Sequence, residues 1–291
     1  MTLPNANLPV VRPTKPAFQV PENACDSHVH MVAGAGEFPR WEGRVEDPAP
    51  GLNLDAWLEL FETHLATLGM ARTVIVHTIL YGADNSVTIE AVRRLGARAR
   101  GVGLLKDGAK ESDIRILADA NLMAVRLNYV HGGVLTWDGA KDMAPALADH
   151  GMHIQMLAHA DKHLLELTED VIASPCPVVF DHCGWPAEDM SLHSAGFQAL
   201  LRLVGDGHAW VKLSAIYRVA RDWNIGSELA LALVRANPEQ CLWGSDWPHL
   251  MLGPAEMPDA GQLLNAFGNI VTDDETRKLV LSDNPSRLFD F

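Results

Sequence analysis

Eight short apolar runs rich in β-branched residues recur along the 291-residue chain, and their spacing constrains the fold more than any other feature. They are ACDSHVHMV from 24, RTVIVHTIL from 72, RGVGLLK from 100, AVRLNY from 124, HIQMLA from 153, PVVFDHCG from 177, AWVKLSAIY from 209 and CLWGSDW from 241. Successive starts lie 24 to 32 residues apart, except for 48 after the first, which is the length of one strand–helix unit. Between them apolar residues recur at helical spacing, as in LDAWLELFETHLATLG (54–69), NSVTIEAVRRLGARA (85–99), ESDIRILADAN (111–121) and GSELALALVRAN (226–237). Strands without polar alternation are buried on both faces and imply a parallel sheet. Eight such units close an α/β (β/α)8 TIM barrel. An open doubly wound sheet would carry a glycine-rich loop after its first strand, and this chain has none.

Residues 1–23 hold five prolines and are expected to form an extended N-terminal arm, leaving 24–291 as a single barrel catalytic domain. The long first connection, 31–53, is rich in Gly and Pro and is a candidate lid or substrate-binding loop. Composition then narrows the partners. The net charge of −14 disfavours nucleic acid, so an anionic ligand must be captured by local arginines. Cys25, Cys176, Cys183 and Cys241 form no CxxC pair and read as reduced, buried thiols. No signal-like segment and no run of 18 apolar residues occurs, so a cytoplasmic protein without a membrane partner is expected. A homo-oligomer is compatible with exposed helices, although no self-complementary patch is legible.

Chemistry concentrates at the ends of the runs. In the first, Asp26, His28 and His30 alternate, so a period of two places all three on one face. Two desolvated imidazoles need a metal or a substrate to justify them. His182 follows the sixth run and Asp246 the eighth, at the barrel edge where catalytic residues collect. Arg126 and Asn128 share a face of the fourth run, and a buried arginine in a barrel mouth suits a carboxylate or carbonyl oxygen. Gln155, Leu157 and His159 share one parity in the fifth run; Lys212, Ser214, Ile216 and Arg218 share one in the seventh, with Arg218 at the outer end as a clamp or a rim charge. His77 and Thr78 end the second run, Tyr81 opens the loop after it, 81–85, as a candidate ligand contact, and His249 follows Asp246 by three residues. His64, His150, His163, His193 and His208 read as solvated or structural.

HxH on strand one, His after strand six and Asp after strand eight resemble the pattern of the amidohydrolase superfamily. DSHVH, RTVIVHTILYGADNSVTIEA, AVRLN, VVFDHCGWP, WVKLSAIYR, LWGSDWPH and NPSRLF extend the likeness to its 2-pyrone-4,6-dicarboxylate lactonase-like branch, over nearly the whole chain after residue 20. The resemblance implies a lactonase, a hydrolase acting on a carboxylic ester, working on a small-molecule lactone without a bound metal. Asp246 would be the general base, His28, His30 and His182 the groups around the scissile carbonyl, and Arg126 and Arg218 the carboxylate-binding arginines. Three positions depart from that pattern. Val130-His131-Gly132-Gly133 and Trp185 stand where arginines are expected, and Leu157 near an expected tyrosine, so the substrate should be less anionic than a pyrone dicarboxylate, such as a sugar-acid or muconate-type lactone.

Asn128, Gln155, Tyr81 and His249 are then the remaining substrate-binding candidates. One Zn²⁺ on His28, His30 and Asp246, joined by His182 or His159, is the alternative to metal-free water activation. A lactone isomerase of the galactarolactone type and a metal-dependent decarboxylase are the competing activities.

Overall fold

The computed structural model describes residues 3–130, 132–185, 192–253 and 257–291. Eight parallel strands pair in sequence order: β1 (Cys25–Val29), β2 (Arg72–Val76), β3 (Ala99–Gly103), β4 (Leu122–Asn128), β5 (His153–Leu157), β6 (Val178–Phe180), β7 (Trp210–Ser214) and β8 (Cys241–Gly244). Around them lie α1 (Leu54–Leu68), α2 (Ser86–Leu95), α3 (Glu111–Asp119), α4 (Trp137–Asp149), α5 (Ala160–Ala173), α6 (Ala195–Gly205), α7 (Ile216–Val219), α8 (Trp223–Ala236) and α9 (Ala260–Ile270), followed by α10 (Asp274–Lys278) and α11 (Asn284–Phe289). This is the (β/α)8 barrel that the spacing of apolar runs dictates.

Helix boundaries follow local chemistry. Asn53 caps α1 by accepting from the Ala56 amide at 3.0 Å, and Gly69 ends it in the left-handed region at φ 73°. Thr136, Ser194, Asp222 and Asp259 cap α4, α6, α8 and α9 in the same way.

The last strand meets the first by a seam of single hydrogen bonds rather than a full ladder. The Asp246 amide donates to the His28 carbonyl at 2.8 Å and the His30 amide to the Trp247 carbonyl at 2.7 Å. Gly244 makes this approach feasible, since a Cβ there would lie 2.6 Å from the Cβ of His28. The seam therefore sets the residues after β8 against the end of β1.

One apolar cluster fills the space between strands and helices, and a second closes the lumen at the end where the strands begin, with Cys25, Val74, Val102, Leu242 and Phe289. Above Phe289 the lumen turns polar. Lys212 is fully buried, its ammonium 5.6 Å from the Phe289 ring centroid, and donates to the Ser27 carbonyl at 2.7 Å and to Gln155 Oε1 at 2.6 Å.

The described part of the N-terminal arm lies against α9: the Thr14 amide donates to Asp259 Oδ1 at 2.9 Å and the Ala17 amide to Asn265 Oδ1 at 2.6 Å. All four cysteines are buried and free. No helix among the described residues is long and apolar enough to cross a membrane.

Candidate active site at the carboxyl ends of the strands

Asp246 sits at the centre of the site, buried, with backbone φ 66°. Its Oδ2 accepts from the Tyr217 hydroxyl at 2.5 Å and from Arg218 Nε at 2.8 Å. Its Oδ1 faces His30 Nε2 at 3.4 Å and His28 Nε2 at 3.7 Å. Burial pushes this carboxyl up, but the Arg218 guanidinium, the His30 hydrogen bond and the nearby imidazoles outweigh it and hold it well below the usual range. The carboxylate is therefore ionised at neutral pH.

The imidazoles are held just as firmly. His30 Nδ1 is 2.8 Å from the Val76 carbonyl, to which it donates, and this holds the ring with Nε2 facing Asp246. His28 Nδ1 lies 3.3 Å from Asp181 Oδ1, and both residues are completely buried. Burial drives His28 well below its ordinary value against the pull of Asp181. His182 Nδ1 meets Ser214 Oγ at 2.8 Å, and burial lowers its pKa to about 4. His28 and His182 are accordingly neutral near pH 7.

Asp181 is depressed in spite of burial, by His28, Lys212 and Arg126. Arg126 lies 3.6 Å from it and donates to the His77 carbonyl at 2.9 Å. Each of the two arginines is thus matched to one buried carboxylate, Arg126 to Asp181 and Arg218 to Asp246.

The structure brings His30, Arg126, Asn128, His182, Arg218 and Asp246 around a small inner pocket of about 50 Å³, with His28 immediately behind. Several other expectations need correction. Asp26 does not share the face of His28: a register shift between Asp26 and Val29 turns its carboxylate toward α1, where it lies 3.1 Å from His64 Nε2 and accepts from the Ser245 amide at 2.9 Å. Gln155 is sequestered below the pocket by Lys212. Tyr81 is buried with its hydroxyl accepting from the Ala33 amide at 2.8 Å, so it braces the 31–53 loop. His159 precedes α5 and has Nδ1 2.6 Å from the Trp185 carbonyl, apart from the described groups able to hold a metal. His249 Nδ1 lies 3.1 Å from the Tyr217 hydroxyl oxygen, so it supports Asp246 from behind. His131 lies outside the described residues.

Arg218 does not extend β7 either. The strand stops at Ser214, Ala215 takes φ 50°, and Arg218 rides on the short helix α7. Helical spacing puts Tyr217 and Arg218 about 100° apart, so both reach one carboxylate, whereas strand parity would have sent them to opposite faces. Tyr217 and Asp181 had no assigned role in the sequence. The signal for Asp181 was its place beside His182; for Tyr217 none was available without the break at Ala215. Non-glycine residues with positive φ gather here, at His182, Cys183, Ala215, Asp246 and His249, a concentration of strain typical of functional sites.

The donor set suits a divalent cation. His28 Nε2 is buried without a hydrogen-bond partner, and His28, His30 and Asp246 present ligand atoms within 4.8 Å of one another. His28, Asp181 and His182 form a second such group.

The amidohydrolase family model matches residues 25–291. The chain is 31% identical to the 2-pyrone-4,6-dicarboxylate hydrolase of Comamonas testosteroni, over 95% of its own length and 93% of that protein. It is 32% identical to the 4-sulfomuconolactone hydrolase of Rhizobium radiobacter, over 99% and 96%. Among solved structures, a probable 2-pyrone-4,6-dicarboxylic acid hydrolase of Acinetobacter baumannii superposes with a TM-score of 0.79 at 23% identity, covering 92% of this chain and all of that one. A barrel closed by the β1–β8 seam, a match that runs from the first strand to the last residue and two full-length relatives above 30% identity place the chain in the amidohydrolase family.

Proposed function

We propose that this protein is a lactonase in which Asp246 activates water to open a carboxylated lactone. The observation that carries this reading is a buried, ionised carboxylate facing the inner pocket beside the imidazoles of His28 and His30, with its rear oxygen fixed by Tyr217 and Arg218. Water beside Asp246 Oδ1 gives up a proton as its oxygen attacks the lactone carbonyl. The developing oxyanion is stabilised by Arg126 and the surrounding imidazoles. When the ring C–O bond breaks, the proton on Asp246 passes to the leaving alkoxide, restoring the carboxylate.

Asp246 is a weak base while Arg218 holds it. A substrate carboxylate that engages Arg218 would share the guanidinium, raise the affinity of Asp246 for a proton and so couple binding to activation. The relatives named hydrolases of 2-pyrone-4,6-dicarboxylate and 4-sulfomuconolactone support the reaction class.

His28, His30 and Asp246 are the residues that would hold a zinc ion. Such an ion would supply Lewis-acid polarisation and lower the pKa of its water to about 7. Hydrolysis without metal is favoured because Arg218, 2.8 Å from Asp246, already supplies positive charge at the carboxylate. An isomerase would need polar groups along the pocket for a polyhydroxylated ligand; of Asn128, Gln155 and Tyr81, Asn128 alone lines it.

The test is incubation of metal-stripped protein with sugar-acid, muconate and pyrone lactones, followed by NMR. Ring-opened hydroxy acid is the expected product. An isomeric lactone would transfer the site to isomerase chemistry, and release of carbon dioxide to decarboxylation.

A further inference from the structure

The space above Asp246 changes character with depth. The inner pocket of about 50 Å³ is bounded by imidazoles, arginines and a carboxylate. It opens past Ile79, Asn128, Trp185, Arg218 and Met251, which line both spaces, into an outer chamber of about 790 Å³. That volume lies within the range of pockets that enclose whole organic ligands.

The chamber is apolar. Its walls include Trp41, Val45, Leu104, Val134 and Leu135, and backbone alone lines it at several glycines, including Gly82 and Gly133. Among the described residues its walls hold two cations, and both are occupied: Arg44 Nε lies 2.8 Å from Asp47, and Arg218 is bound to Asp246. Among the described residues, three of the nine most exposed large hydrophobics face this one chamber: Trp41 at 41%, Val45 at 60% and Met251 at 46%. Clustered exposed apolar surface beside a catalytic pocket marks ligand contact.

The loop carrying Trp41 and Val45 is also braced open to this space. Arg40 Nη1 pairs with Asp47 at 2.7 Å, the Trp41 amide donates to the Leu80 carbonyl at 2.9 Å, and the Met251 amide donates to Glu46 Oε1 at 2.5 Å. The walls are thus fixed before a ligand arrives, which lowers the ordering cost of binding.

We infer that the substrate is a lactone bearing one bulky apolar substituent, of aryl or branched-alkyl size, whose ring occupies the inner pocket while the substituent fills the outer chamber. This deepens, and rests on, the lactonase reading. Charge balance within the site points the same way. Two arginines face two buried carboxylates, so the pocket suits a lactone with at most one anionic group rather than a compact polyanion.

Binding and turnover separate the two claims. The probes are a five-membered carboxylated lactam, whose amide is far less electrophilic than a lactone ester, and the same lactam with a benzyl substituent, each titrated by calorimetry. Burying a phenyl-sized group is worth roughly a 10- to 100-fold gain in affinity. The benzyl compound is expected to bind tighter by that factor, and V134D, which sets a charge in the chamber wall, should reduce the ratio to near one. Affinities within about threefold of each other, or no measurable binding of the benzyl compound, would overturn the inference. Turnover of the two matching lactones then tests the chemistry: preferential binding without ring opening removes the lactonase and keeps the chamber, whereas ring opening with equal lactam affinities removes the chamber and keeps the lactonase.

Discussion

Replacing Arg218 with methionine keeps the aliphatic stem and removes the guanidinium from a carboxylate that is almost completely buried. In the wild-type protein Arg218 Nε lies 2.8 Å from Asp246 Oδ2, with side-chain exposures of 13% and 2%. Breaking a buried pair by removing one partner costs about 3–5 kcal/mol, because the remaining charge is left uncompensated. At about 1.36 kcal/mol per unit, that corresponds to a rise of roughly two to four units in the Asp246 pKa. The sign follows from burial, which pushes this carboxyl up once its main opposing charge is gone. In the wild type the folded value is below the ordinary 3.8, so the contribution to stability is present above that value and lost as pH falls through the folded one. Removing the guanidinium raises the folded value, so the deficit relative to wild type is full above the raised value and shrinks as pH falls through it. Urea unfolding of both proteins across a pH series from 7.5 downward, as far as both remain folded, measures this without reference to substrate. The expected deficit is about 3–5 kcal/mol at pH 7.5 and diminishes toward the acid end of the series. A deficit constant across the whole series would mean that Arg218 contributes packing and leaves the charge state of Asp246 untouched.

Other consequences follow from the buried groups and from the seam. Burial holds His77 and His182 at about 4 and His153 and His249 at about 3, against an ordinary 6.5. The unfolded chain takes up protons first, so stability should fall as pH drops from about 6.5 toward 4, by about 1.4 kcal/mol per pH unit for each histidine; a denaturation midpoint that stays flat over this window would show that these rings are already charged when folded. Gly244→Ala places a methyl 2.6 Å from the Cβ of His28 and should cost roughly 1–3 kcal/mol in chemical denaturation while reducing turnover disproportionately, whereas equal losses in both would make the seam purely structural. Tyr217→Phe removes one of two hydrogen bonds to Asp246 Oδ2 and should destabilise by about 1.5–3 kcal/mol, with His249→Gln giving a smaller effect through the same hydroxyl; the reverse order would place His249 nearer the chemistry than Tyr217.

The barrel was legible because each strand is buried on both faces, so a period of 24 to 32 residues between apolar runs survives any local ambiguity. That His28, His30, His182 and Asp246 come together was legible for a related reason, as titratable residues at the ends of apolar runs. Parity failed wherever the backbone left the strand. The register shift after Asp26 moved that carboxylate outward to His64, and the left-handed turn at Ala215 put Tyr217 and Arg218 on one helix. Gln155 was misplaced by depth, since parity gives a direction but no height along the lumen and Lys212 takes its side chain below the pocket, whereas Tyr81, read as a loop residue free to meet ligand, is turned inward to the Ala33 amide. The outer chamber was invisible in the sequence because it is assembled from loops after several different strands.

The role of Asp246 is tested most directly by comparing ring opening by metal-stripped wild-type protein and by Asp246→Asn, each with and without added zinc. Asparagine keeps the shape and cannot take the proton from water. Asp246 as base requires turnover by the wild type without metal and loss of about 10²–10⁴-fold in the variant, unrestored by zinc. A wild type that is silent until zinc is added, or an asparagine variant that retains turnover without metal, would contradict it.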